Sequence, residues 1–106
     1  MHTISGINLF FKERNAQIQL SFGIIAIIMG VILKLNNMEW IAVLIAIGMV
    51  LIAEIFNSCI EQVCDFNTQE IDLRIKVIKD MAAGAVLIAA LISIAIACFV
   101  FIPKLL

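Results

Sequence analysis

The sequence predicts an all-α membrane protein: an N-terminal interfacial amphipathic helix followed by three transmembrane helices. Three observations carry that expectation. Of the 106 residues, 64% are hydrophobic and the mean hydropathy is +1.18, whereas a soluble domain is nearer half apolar because water must wet its surface. The apolar residues fall into three long blocks, each near the length that crosses a bilayer. No stretch alternates apolar and polar residues with period two, which excludes a β-barrel.

The first element is a surface helix over residues 1–17. Ile4, Ile7, Phe11 and Ile18 recur at helical spacing while Asn8, Lys12, Asn15 and Gln19 take the other side, the pattern of a helix lying on a membrane. Its first dozen residues hold no unbroken apolar core, so no cleavable signal peptide is expected there. The first span, 18–35, is built on Leu20 to Leu35, interrupted by Ser21 and by Lys34, which can snorkel. The second, 38–64, is built on Trp40 to Phe56 and carries Glu54 inside it. The third, 80–102, has no charge between Met81 and Ile102, and Pro103 is expected to stop it. Together they form one membrane-embedded domain, 1–106, without linker or internal repeat.

Positive charges orient the chain. Lys12 and Arg14 precede the first span, and Arg74, Lys76 and Lys79 lie between the second and third. The first loop has only Lys34 at its edge, and the C-terminus only Lys104. The N-terminus is therefore expected in the cytoplasm and the C-terminus outside, with Trp40 at the outer interface. Seven basic against eight acidic residues exclude a nucleic-acid binder driven by phosphate neutralisation. Cys59, Cys64 and Cys98 lack metal-ligand spacing and read as small buried hydrophobes, and the only histidine is His2.

The chemistry is concentrated on one face of the second span. Glu54, Asn57, Glu61 and Asp65 follow at intervals of three, four and four, which places them within a stripe of about 80° on a helix, with Ser58 beside it. At roughly 1.5 Å per residue from Trp40, Glu54 lies about 21 Å down, inside a hydrocarbon layer of about 30 Å, and Glu61 reaches its inner boundary. An ionised carboxylate at mid-membrane costs roughly 2.5–3.5 kcal/mol on insertion scales. A helix meant only to span would not carry it, and interhelical adhesion needs one polar residue, not four. Glu13, Lys79 and Asp80 lie at the same cytoplasmic depth. Carboxylates for a hard cation and an ammonium for phosphate are thus available together, and Mg²⁺ is served by one or two carboxylates plus phosphate oxygens.

From the residues alone Glu54 fits either a proton or cation relay in a small transporter or the base of an enzyme acting on lipid. A small helical assembly subunit is a third reading. No Walker loop and no H-R-D or D-F-G motif is present, so a nucleotide would have to be held by an unrelated arrangement.

At these residues the sequence resembles the prokaryotic diacylglycerol kinase family, including its undecaprenol kinase branch. Glu54-Ile-Phe-Asn57-Ser58-Cys-Ile-Glu61-Gln-Val-Cys-Asp65 stands where the family has E-x-x-N-[ST]-x-x-E-x-x-x-D. Lys79-Asp80-Met-Ala-Ala-Gly-Ala-Val86 resembles its K-D-x-A-A-G-A-V block, and Glu13-Arg14-Asn15 its E-R-N. The resemblance implies a homotrimeric helical bundle that transfers phosphate from ATP, with Mg²⁺, to diacylglycerol or undecaprenol in the bacterial inner membrane. It implies Glu54 as catalytic base and Glu13 and Glu61 as ligands of the divalent cation. It implies Lys79, Asp80 and Glu70 as further nucleotide contacts, with Asn57 and Asp65 in support. Glu39-Trp40 and the Ile102-Pro103-Lys104-Leu105 ending look more like the undecaprenol kinase branch. The chain departs at Glu70-Ile71-Asp72, where many members have Glu-Tyr-His, so an aromatic contact and an imidazole are missing.

Overall fold

The computed structural model describes residues 2–67 and 73–106. Within them lie four helices and no strand: α1 (His2–Phe10), α2 (Arg14–Ile32), α3 (Asn37–Asn67) and α4 (Leu73–Leu105). The last three are long and apolar enough to cross a membrane. At 1.5 Å per residue, 33 residues extend about 50 Å, which accounts for the 52 Å long axis of the molecule.

The helices exceed the apolar blocks that announce them. α2 begins at Arg14, before the first block, and α4 begins at Leu73, so Lys79 and Asp80 ride within its second turn. Polar residues at the membrane boundary continue a helix readily, because the backbone bonds remain satisfied inside it. Pro103 does not stop α4, which runs to Leu105. Near a C-terminus, proline removes only its own N–H from the ladder, and the chain still closes with Leu106 N–H donating to the Ile102 carbonyl at 3.1 Å.

The turns are explicit in the backbone. α2 ends with Leu35 N–H reaching back to the Gly30 carbonyl and Lys34 N–H to that of Val31. This Schellman closure puts Lys34 at φ 57°, a left-handed position where glycine is the usual residue. α3 then opens on a reciprocal capping box. Asn36 Oδ1 accepts from Glu39 N–H at 2.9 Å, and Glu39 Oε1 accepts from Asn36 N–H at 3.0 Å. Lys104 Nζ meets the same Glu39 oxygen at 3.2 Å, so the start of α3 and the end of α4 are tied together.

Packing follows small residues and leaves most large ones outward. Leu35, Val43, Val100 and Phe101 form a buried cluster near the α2–α3 turn, with Met29 and Trp40 against it. Gly30 permits this: a Cβ there would come within 2.7 Å of the Trp40 ring. Trp40 is therefore held by protein, its ring lying over Gly30. Ser93 Oγ donates to the Ala46 carbonyl at 3.0 Å, joining α4 to α3 in the apolar region. Elsewhere Phe22, Ile25, Ile45, Ile52, Leu87, Leu91 and Phe99 are exposed, as a surface facing lipid requires. Cys64 is buried, whereas Cys59 and Cys98 lie at the apolar surface; none is in a disulfide.

Candidate active site

Helical continuity from Asn37 to Asn67 puts Glu54, Asn57, Glu61 and Asp65 on one face of α3, descending toward the α3–α4 connection. Their exposure grades along the stripe. Glu54 is 8% exposed, the only buried charged side chain among the described residues, while Glu61 and Asp65 are open.

Glu13 is brought to this face by a break in the chain. Residues 11–13 interrupt the amphipathic N-terminal segment, so the surface helix ends at Phe10, whose ring is buried beside that of Phe11 at 5.2 Å. Glu13 becomes the N-cap of α2 in an extended conformation, yet its side chain does not cap. It accepts instead from Ser58 Oγ at 2.8 Å, across 45 residues of sequence. Both Glu13 and Glu61 lie close enough for their charges to act on Glu54.

Asn57 sits between base and boundary. Its Nδ2 donates to Glu61 Oε1 at 3.3 Å. An ionised carboxylate can only accept, so the amide must present nitrogen to Glu61 and turn its oxygen the other way. That oxygen, Asn57 Oδ1, is buried with no hydrogen-bond partner. A buried acceptor left unmade costs about 1–3 kcal/mol, so this atom is a place where a bound hydroxyl or water would be held.

Toward the end of α3 that leads into α4, acidic side chains meet lysines. Lys79 Nζ meets Asp65 Oδ1 at 3.0 Å, bridging α4 to α3, and Glu61 is also within its electrostatic reach. Asp80, expected beside the nucleotide, pairs with Lys76 one turn earlier at 2.7 Å on an exposed face. Glu70, Ile71 and Asp72 lie outside the described residues. Two contacts were not foreseen from sequence. The Lys76–Asp80 spacing of four is legible on any helix, but the Ser58–Glu13 bond depends on tertiary placement and leaves no sequence signal beyond the hydroxyl beside the stripe.

Among the described residues no ion pair involves Glu13, Glu54 or Glu61. No three acidic, histidine or cysteine side chains converge into a cage there either. Oxygen-only donors without an ion-pair partner among the described residues fit a hard divalent cation that completes its shell with phosphate oxygens and water; they do not fit a soft metal.

The family model described as prokaryotic diacylglycerol kinase matches residues 1–101. The undecaprenol kinase of Bacillus subtilis (strain 168) is 36% identical over 93 residues, which cover 88% of this chain and 76% of that protein. No solved structure matches the chain.

Proposed function

Because the chain belongs to the prokaryotic diacylglycerol kinase family and is a phosphotransferase acting on a lipid alcohol, we propose that it transfers the γ-phosphoryl group of ATP to undecaprenol. One observation supports the assignment of the site: Glu54 is buried, with Glu13 and Glu61 acting on it and no ion pair to any of the three among the described residues. The resemblance to an undecaprenol kinase supports the choice of alcohol; diacylglycerol is the second reading, favoured by the family description. A kinase family does not favour a proton relay at Glu54.

Glu54 accepts the proton of the lipid hydroxyl as its oxygen attacks the γ-phosphorus. Asn57 Oδ1, buried and unpartnered, accepts a hydrogen bond from a water that solvates the lipid oxygen, since the hydroxyl's single proton goes to Glu54. Glu13, fixed by Ser58, and Glu61, fixed by Asn57, would hold Mg²⁺, which would supply neutralisation of phosphate charge. Lys79 contacts the phosphates, with Asp80 and Glu70 as further nucleotide contacts. Catalysis then rests on positioning and charge neutralisation at the membrane boundary, where the dielectric is low.

The chain works in the bacterial cytoplasmic membrane with its N-terminus and α3–α4 connection inside, where the basic residues lie. It acts as a homotrimer with sites shared between neighbours. Three spans that leave many large side chains exposed support that assembly, since one chain encloses the site incompletely.

The deciding experiment supplies Mg·ATP to protein reconstituted with undecaprenol or with diacylglycerol and follows phosphorylated lipid. Undecaprenol should be the better substrate by kcat/KM. Equal or better use of diacylglycerol overturns the choice of alcohol, and ATP consumption with neither overturns the kinase site.

A further inference from the structure

The Lys79–Asp65 pair is a poor candidate for a stabilising contact. Its side chains are 37% and 69% exposed, and ion pairs so open to solvent contribute little to folding. Yet it joins α3 to α4 at the inner mouth of the site, across the chain that connects them, and only one Asp65 oxygen takes part. A lysine ammonium has three donors. One is occupied by Asp65, and the others are left for an anion arriving on the side where Glu61 acts on the same group.

We propose that Asp65 is a positioning residue for nucleotide binding, holding the Lys79 ammonium between α3 and α4 so that it meets the ATP phosphates without first being ordered. This rests on the reading of Lys79 as a phosphate contact. An unrestrained lysine samples many rotamers and loses that freedom when it binds; a carboxylate that already fixes it removes part of the loss, the general effect of preorganisation. Asp65 itself touches neither substrate. Asp80 cannot take its place, because it is bonded to Lys76 on an exposed face of α4.

The test is steady-state kinetics of the full-length protein in vesicles containing both undecaprenol and diacylglycerol, with Mg·ATP varied. Asp65→Asn should raise the KM for ATP roughly three- to tenfold, the scale of ordering one long side chain. The loss should fall on KM for ATP and not on kcat or on the lipid dependence, and Asp65→Glu should recover most of it. Lys79→Met should raise the same KM, and adding Asp65→Asn to it should change nothing further, since the carboxylate would have no ammonium to hold. A KM for ATP that falls in Asp65→Asn would make Asp65 a competitor of phosphate and overturn the proposal. An Asp65→Asn effect that persists undiminished beside Lys79→Met would overturn it too. If Lys79→Met leaves KM for ATP unchanged, the phosphate role of Lys79 fails first; if Lys79→Met raises it and Asp65→Asn does not, only the positioning role fails.

Discussion

Replacing Glu54 by glutamine separates the chemical role of this residue from any structural one, because the two roles predict effects of opposite sign. Glutamine keeps the shape and removes the charge. Glu54 is 8% exposed, lies among apolar helices and feels two further carboxylates with no cation beside it. An ionised group in such a place costs at most about 2.5–3.5 kcal/mol on membrane-insertion scales, and the substitution relieves part of that. Resistance to unfolding in detergent should therefore stay level or rise. As general base the same side chain should be worth about 10²–10⁴ in rate, which is roughly 3–5 kcal/mol of barrier. Turnover of lipid alcohol by Glu54→Gln should fall by that factor while Mg·ATP still binds. Thermal unfolding and phosphorylated-lipid formation, measured on one preparation, give both signs. Turnover within tenfold of the parent refutes the base assignment. A large loss of stability would instead make Glu54 an adhesive between helices.

Three other outcomes follow from the contacts around it. Glu13→Ala and Glu61→Ala should each raise the Mg²⁺ concentration for half-maximal activity by about tenfold or more; an unchanged Mg²⁺ titration would remove them from the cation site. Ser58→Ala should move that titration the same way but less, because it deletes one 2.8 Å hydrogen bond to Glu13 and leaves the carboxylate in place. Gly30→Ala should destabilise the outer end by about 1–3 kcal/mol, since its Cβ would meet the rigid Trp40 ring at 2.7 Å. Activity per folded molecule should be preserved, the site lying at the other end of α3.

The spans are readable in the sequence because lipid imposes a constraint that composition alone must satisfy: an unbroken apolar run long enough to cross. Where the helices end is not imposed in that way. Arg14 and Leu73 start helices whose first turns are polar, and nothing in hydropathy distinguishes a helical turn at the headgroups from a loop. The break at residues 11–13 is illegible for a related reason. The apolar spacing of Ile4, Ile7, Phe11 and Ile18 continues across it, while burial of Phe10, off that spacing, is what turns the chain.

The site divides along the same line. Glu54, Asn57, Glu61 and Asp65 belong to one helix, so their common face follows from spacing, whereas burial of Glu54 depends on which way that face turns, Ile52 and Phe56 beside it being exposed. Nor do contacts between helices follow from spacing. Ser58 reaches Glu13 only because α2 starts with an extended residue whose carboxylate declines to cap its own helix. A glutamate at a helix N-terminus is ordinarily stabilised there by the unpaired N–H groups. Turning Glu13 outward to Ser58 gives up that local bond, and the trade is intelligible only if the carboxylate is wanted beside Glu54. Three carboxylates left without a cation repel one another and would repel ATP. A divalent cation held by Glu13 and Glu61, as proposed, would relieve that repulsion, whereas Asp65 is already met by Lys79 at 3.0 Å.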